Sequence, residues 1–185
     1  RCGAASVSLD VLFVEPSSYG VYDDEVFGQA IDAGGEGSPV VAAMRLSSQE
    51  GEGSWPEEAL RHPRIEGLDN FIANNPNTLN ALTYPLAEFP IPEVRETADL
   101  LGNVHLPGSD DGVYRRLPLF SIFDGEVVPS LGLAAYLAAR PETEIRLDGK
   151  DLWVDANRIR LDDQGRAIPL YSTEEDTHYA YSAAA

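Results

Sequence analysis

The sequence predicts an α/β fold: a mixed central sheet, parallel in its N-terminal part and antiparallel in its C-terminal hairpins, with helices on the faces of the sheet. In the N-terminal part, apolar β-branched runs alternate with stretches of helical periodicity, and this order produces parallel strands. From residue 144 onward, short segments of apolar–polar alternation are separated by turn residues, which is the pattern of antiparallel hairpins.

The length and composition indicate one globular domain. The chain has 185 residues, of which 43% are hydrophobic, enough for a core of its own. We therefore expect residues 1–185 to form a single domain.

Gly3 resembles the stop signal of a helix, and the chain does not begin with methionine. We therefore also expect the domain to be truncated at its N-terminus.

The charge excludes some partners. The chain carries 31 acidic and 13 basic residues, a formal charge of −18. Such a surface repels phosphates, so we predict no nucleic-acid partner. A cation would be attracted, although a solvated acidic coat is the simpler interpretation.

No apolar run approaches the length of about 20 residues that a membrane helix needs.

The first two strands flank a helix. Residues 6–14 are apolar and β-branched, and we predict a buried strand there. The next helix is predicted to be capped by Asp23 or Asp24 and ended by the glycines at 34–37. Residues 39–44 form a second buried strand. This order predicts a parallel pair with a right-handed crossover.

The middle of the chain is less regular. Residues 47–90 are rich in Ser, Gly, Glu, Asn and Pro, and we expect an irregular insertion on the domain surface, helical only near its ends. Pro92 then begins a helix that extends to residue 101 and is stopped by Gly102. Residues 103–106 are predicted to be a strand.

A hairpin with charged residues is predicted next. Asp111 and Gly112 form a turn signal between strands at residues 103–106 and 113–123. Asp110, just before them, can hydrogen-bond to its own backbone. A hairpin turn therefore explains these three residues without a ligand.

Arg115 and Arg116 follow that turn and point to opposite faces of the strand. An inward arginine beside an apolar run needs a carboxylate partner, and Asp10 and Glu15, near the end of the first strand, are the candidates. Two roles stay open: a structural arginine–carboxylate clamp, or an arginine that faces a ligand. The candidate site therefore consists of Asp10, Glu15, Asp110, Asp111, Arg115 and Arg116.

The C-terminal part begins with the clearest helix, at residues 129–139, with Pro129 in its first turn and Ser130 as a cap. Short strands follow. They are predicted at residues 144–147, 151–154, 158–161, 168–171 and 179–182.

Several blocks of the sequence, taken in order, resemble one known family. They are residues 9–17, Asp23 and Asp24 with the helix at 27–31, residues 101–106, residues 110–119 and residues 129–137. In order and spacing they resemble the CHASE family, second type, the cyclase/histidine-kinase-associated sensory extracellular domains. The similarity extends from about residue 5 to the C-terminus and is weakest between residues 47 and 90.

This resemblance implies a signal-input domain outside the cytoplasmic membrane, periplasmic or extracellular. Membrane helices would join it to an adenylate or guanylate cyclase, a histidine kinase or a Ser/Thr kinase. It implies that this segment is the soluble part of a membrane-anchored protein, is not itself an enzyme and uses no cofactor. We expect an unidentified small-molecule or ionic signal and a homodimer.

The competing function is a metal-dependent hydrolase. Asp10, Glu15, Asp23 and Asp24 form a carboxylate cluster whose oxygens could bind Mg²⁺ or Ca²⁺. The simpler interpretation is that these carboxylates bind backbone amides or an arginine. The three histidines are isolated from one another, and the sequence has neither a glycine-flanked serine nucleophile nor a phosphate-binding loop.

Overall fold

The structure, a computed structural model, describes residues 3–35, 37–57, 63–107 and 114–169. Within these ranges the chain forms five helices and twelve strands. The helices are α1 (Val21–Gly35), α2 (Leu68–Asn74), α3 (Pro76–Leu82), α4 (Pro92–Arg95) and α5 (Leu131–Ala139). The strands are β1 (Val7–Leu9), β2 (Val40–Ser47), β3 (Thr83–Tyr84), β4 (Leu86–Glu88), β5 (Leu100–Asn103), β6 (Leu117–Pro118), β7 (Phe120–Phe123), β8 (Glu126–Pro129), β9 (Ile145–Asp148), β10 (Asp151–Val154), β11 (Asn157–Arg160) and β12 (Arg166–Ala167).

The strands form several sheets, and their directions confirm the predicted mixed α/β class. In the first sheet, β1 and β5 run parallel to β2, whereas β4 pairs with β2 antiparallel. A second sheet has the order β3-β7-β8, and a bridge between Asn103 and Ser130 connects it to β5. A third sheet, in the order β11-β10-β9, is antiparallel throughout. Finally, β6 pairs antiparallel with β12.

Strand β2 separates two parts of the core, because successive side chains of a strand point to opposite faces. Val41 belongs to a cluster that includes Ala134 and Leu137 of α5. Its neighbour Ala42 belongs to a second cluster, which includes Ile31 of α1 and residues of α4. The central sheet therefore has α5 on one face and α1 with α4 on the other.

The N-terminal strand is shorter and more exposed than predicted. The sequence predicts one buried strand at residues 6–14, but β1 contains only three residues, and Val7 is 40% exposed. Among the described strands β1 pairs with β2 alone, so its other edge is open. Residues 10–14 leave the sheet, and Val11 and Val14 are exposed. The predicted parallel pairing with β2 is confirmed.

The region at 47–90 contains more regular structure than its composition suggests. It includes α2, α3, β3 and β4, and β4 pairs with β2 in the central sheet. Phe71, Leu82 and Ala87 are buried in the core. These elements are too short for a sequence period to develop, and composition then dominates the prediction.

The prediction of a long helix before Gly102 is wrong. The helix that Pro92 begins, α4, ends at Arg95, and β5 starts three residues before the predicted strand at 103–106. Gly102 lies within β5 and serves a packing role. An added Cβ there would stand 2.6 Å from Cα of Leu131, so the glycine permits α5 to approach the sheet.

The predicted pairing of residues 103–106 with 113–123 is also wrong. Strand β5 pairs with β2, whereas β7 pairs with β3 and β8. The hairpin forms between β7 and β8, where Asp124 and Gly125 both have positive φ, 48° and 80°. This is the geometry of the tight hairpin turns that favour Asp-Gly. Asp111 and Gly112 lie outside the described residues.

Two local predictions are confirmed in the C-terminal part. Ser130 caps α5 as predicted, because its Oγ accepts a hydrogen bond from the Leu133 amide at 3.4 Å, whereas Pro129, predicted in the first turn of this helix, instead ends β8. Strands β9, β10 and β11 form consecutive antiparallel hairpins. The strand predicted at 168–171 is not formed at residues 168 and 169, and residues 170 and 171 lie outside the described residues. The strand predicted at 179–182 lies outside the described residues.

Candidate functional site

A groove lies between the segment that follows β1 and helix α1, and we call it the α1 groove. Its volume is about 600 Å³, and it is open to solvent. It is lined by Phe13, Glu15, Ser17, Asp23, Asp24, Val26, Phe27, Ala30 and Ile91. The lining therefore combines an apolar wall with three carboxylates.

The apolar wall is held by contacts between distant parts of the chain. The Phe13 and Phe27 rings pack with centroids 4.9 Å apart, and the Ile91 amide donates to the Phe13 carbonyl at 2.7 Å. Gly28 permits α1 to approach α4, because an added Cβ would stand 2.5 Å from the Glu93 carbonyl oxygen. These contacts hold α1 beside the segment at 13–17 in this structure.

Ser17 attaches the loop after β1 to the first turn of α1. Its amide donates to both carboxylate oxygens of Asp24, at 3.1 and 3.0 Å, and its hydroxyl donates to Asp23 Oδ2 at 2.7 Å. Asp24 is buried, with 7% of its surface exposed, so this pairing satisfies a carboxylate that would otherwise be costly to bury.

The prediction that Asp23 or Asp24 caps the helix is wrong. A turn closed by the Gly20 amide on the Ser17 carbonyl, at 3.1 Å, precedes the helix, and α1 begins at Val21. The two aspartates therefore lie in the first turn of α1, where the partial positive charge of the helix N-terminus favours carboxylates.

Of the predicted site residues, the structure describes Asp10, Glu15, Arg115 and Arg116. Glu15 lines the α1 groove, whereas Asp10 is exposed and does not line it. Arg115 and Arg116 are exposed. Asp110 and Asp111 lie outside the described residues. Glu15, Asp23 and Asp24 therefore line the same groove. From the sequence alone they are grouped only as possible metal ligands.

Arg116 makes its carboxylate contact at a residue that the sequence did not indicate. Its Nη1 lies 3.1 Å from Asp162 Oδ2, so the partner is neither Asp10 nor Glu15. Asp162 also accepts hydrogen bonds from the Gln164 amide and from the amide and side chain of Arg166. Burial raises the pKa of Asp162, but the hydrogen bonds from Arg166 and Gln164 outweigh it and lower the pKa.

The comparisons with known proteins agree with the sequence blocks described above. The sequence model of the CHASE2 domain matches residues 1–185. The chain belongs to the CHASE2 domain family. CHASE2 domains are extracellular sensory domains without catalytic activity, typical of cyclase and kinase receptors. No curated protein and no solved structure matches this CHASE2 domain. Of the helices in the described ranges, none has the length and hydropathy of a membrane span.

The carboxylates of this CHASE2 domain do not assemble a metal site in the described ranges. No group of three or more His, Cys, Asp or Glu residues there is placed to hold a metal ion. Two of the predicted ligands, Asp23 and Asp24, instead accept hydrogen bonds from Ser17. The hydrolase alternative therefore finds no ligand set among those residues.

Sequence reasoning missed four residues that organise the CHASE2 domain. Ser17 carried a usable signal, because serine, glycine and aspartate close together favour local hydrogen-bonded turns. Asp162 carried a similar signal, since Gly165 follows it at turn spacing. Phe13 and Ile91 carried none, because their contact joins distant segments and depends on the whole fold.

Proposed function

We propose that this CHASE2 domain is the extracytoplasmic signal-input domain of a transmembrane receptor, and that its signal binds in the α1 groove. The single observation that carries the proposal is the groove itself. A volume of about 600 Å³ lies within the range of about 300–1,000 Å³ that small-molecule sites occupy. Its lining combines apolar side chains, which supply binding energy, with carboxylates, which supply specificity.

The groove is suited to a binding mechanism, because its two walls belong to different elements. Glu15 and Phe13 lie on the segment after β1, whereas Val26, Phe27 and Ala30 lie on α1. A signal that contacts both walls binds best to one spacing between them, and it shifts the population toward that spacing. A differential affinity of about 1–3 kcal/mol shifts the equilibrium between the two spacings about 5- to 150-fold.

The output domain completes the proposal. We infer that the receptor carries an adenylate or guanylate cyclase, a histidine kinase or a Ser/Thr kinase beyond its membrane helices. The input domain then acts as a homodimer, because such output domains act in pairs. Movement of α1 relative to the central sheet is the event that the membrane helices transmit.

The location is tested by labelling the full-length receptor in intact cells. Gly132 is exposed on α5, and a Cβ there meets no atom within 4 Å, so Gly132→Cys presents a thiol without disturbing the fold. We expect a membrane-impermeant maleimide to label this variant more than the parent receptor. Labelling that requires cell lysis would contradict the extracytoplasmic location.

The groove is tested by filling it. Ala30 lines the α1 groove, so Ala30→Trp occupies the space of a ligand. Ala33 is also exposed on α1 but does not line the groove, which makes Ala33→Trp a matched control. We expect Ala30→Trp to change the cyclase or kinase output of the full-length receptor at least about fivefold, with Ala33→Trp unchanged. Equal outputs in both variants would exclude the groove as the input site.

A further inference from the structure

We propose that the α1 groove selects a small organic cation with an apolar body, such as an arylalkyl amine or a quaternary ammonium compound. This inference rests on the proposed function, since it names the ligand class of the same site. It follows from the charges, the hydrogen bonding and the apolar surface of the groove.

The charges of the groove exclude an anion. Among the described residues, its lining contains Glu15, Asp23 and Asp24 and no arginine, lysine or histidine. The whole chain, including these three residues, has a formal charge of −18. Negative potential of this extent concentrates cations and repels anions. A ligand with a carboxylate or phosphate group would therefore find no basic partner among the described residues of the lining.

The three carboxylates have different roles. Asp24 is buried, and both of its oxygens accept from the Ser17 amide, so it holds the loop. Asp23 is exposed, and its Oδ2 accepts from the Ser17 hydroxyl, whereas Oδ1 has no hydrogen-bond partner among the described residues. Glu15 lines the groove and is exposed. Glu15 and Asp23 are therefore the groups that would pair with an ammonium.

The apolar wall distinguishes an organic cation from a metal ion. The apolar part of the lining consists of Phe13, Val26, Phe27, Ala30 and Ile91, and the rings of Phe13 and Phe27 pack against each other. Aromatic faces attract cations that carry little hydration, and apolar surface gains from covering a hydrocarbon body. A Ca²⁺ ion needs about six to eight oxygen ligands and gains nothing from such a wall.

The experiment uses the 185-residue chain and defined probes at constant ionic strength. We expect 2-phenylethylammonium and benzyltrimethylammonium to raise the melting temperature in proportion to the logarithm of their concentration once it exceeds Kd. Tetramethylammonium, which lacks the aryl body, should bind at least about tenfold more weakly. Phenylacetate and Ca²⁺ should have no specific effect. Calorimetric titration then gives the Kd for each probe.

Matched variants identify the groove as the site. We expect Glu15→Gln and Asp23→Asn each to weaken arylalkyl ammonium binding about fivefold or more. Glu25→Gln removes the same charge from an exposed position on α1 that does not line the groove, so its Kd should stay within about twofold of the parent. Ala30→Trp should abolish binding while the circular dichroism spectrum is retained.

Several outcomes would overturn the inference. Equal weakening by Glu15→Gln and Glu25→Gln would mean that only the overall charge attracts the probes. Tighter binding of phenylacetate, or Ca²⁺ binding that Glu15→Gln abolishes, would assign the groove to an anion or a metal ion. Because binding is measured on the chain alone, these outcomes leave the receptor location and output to the cell experiments, which fail or succeed independently.

Discussion

His105 follows β5 in a position where its surroundings oppose protonation. Its ring meets the Tyr84 ring edge-on, with centroids 5.2 Å apart, and its amide donates to Asn103 Oδ1 at 2.9 Å. Asn103 is buried, and the same oxygen accepts from the Leu46 amide of β2. Burial, and then the positive charge of Arg45, lower the pKa of His105 below its ordinary value of 6.5.

This lowered pKa predicts a stability that depends on pH. Below about pH 6.5 the unfolded chain binds a proton at this histidine more readily than the folded chain does, so the free energy of unfolding falls as pH falls through this window. Above it, both states are neutral and the effect is absent. We expect the free energy of urea unfolding, measured from pH 8 to pH 5, to fall more for wild type than for His105→Gln. The slope is less than about 1.4 kcal/mol per pH unit, because solvent reaches part of the ring.

Comparison with His105→Gln isolates the histidine, since the carboxylates titrate in both proteins. Parallel stability curves for the two proteins would show that the environment of His105 does not oppose its charge. A wild type that gains stability relative to the variant as pH falls would show an environment that favours the imidazolium.

Single residues also show what the sequence could predict. Arg116 was a candidate for an inward arginine, but its side chain is exposed and its carboxylate contact is Asp162, 46 residues away. The pairing of β6 with β12 brings these two parts of the chain together. Two-residue strands have no detectable period, so no local pattern could identify this partner.

At the scale of elements, contact between α5 and β5 depends on one glycine. Gly102→Ala would place a methyl group 2.6 Å from Cα of Leu131 and 3.1 Å from Cβ of Ala134. Backbone atoms cannot move as a flexible side chain can, so α5 must shift. We expect a loss of about 1–3 kcal/mol in the free energy of urea unfolding, the usual cost of overpacking.

The matched control for this variant lies on α5 itself. Gly132 is exposed, and a Cβ there meets no atom within 4 Å. Gly132→Ala should therefore stabilise the protein by about 0.4–1 kcal/mol, because alanine lowers the entropy of the unfolded chain and favours the helix. Equal effects of the two substitutions would contradict the close approach at Gly102.

Elements with local signals were predictable, and elements defined by long-range contacts were not. Helix α5 has a cap and a long apolar run, and β9, β10 and β11 are joined by short turns. By contrast, Gly102 looked like a helix stop, although it is a point of close contact within a strand. The Asp-Gly pair at 124–125 forms the turn of the β7–β8 hairpin. The pair at 111–112 has the same two residues, so both carry the same turn signal in the sequence.

At the scale of the whole molecule, the fold class and the family were predictable, but the α1 groove was not. Periodicity depends on neighbouring residues, and the family resemblance depends on blocks in order. The groove instead requires Phe13 to meet Ile91 and α1 to meet α4. The sequence did indicate the carboxylates at Glu15, Asp23 and Asp24, because acidic residues this close together share one part of any fold.

The whole-molecule charge leads to a prediction about salt. The acidic residues outnumber the basic ones by 31 − 13 = 18, so most carboxylates have no basic counterpart. Ion pairs such as Arg45 with Glu50, at 2.7 Å, are exposed and therefore contribute little to stability. Repulsion among the remaining carboxylates therefore outweighs the attraction in these pairs.

Raising NaCl from about 10 mM to 1 M shortens the screening length from about 30 Å to about 3 Å, which suppresses this repulsion. We expect the melting temperature to rise by several degrees, most of it below about 0.2 M. The double variant Glu25→Gln with Asp32→Asn removes two exposed charges from α1 and should rise less over the same range. A melting temperature that falls with added salt would mean that the ion pairs dominate. An identical rise in the double variant would trace the effect to the salt rather than to the acidic surface.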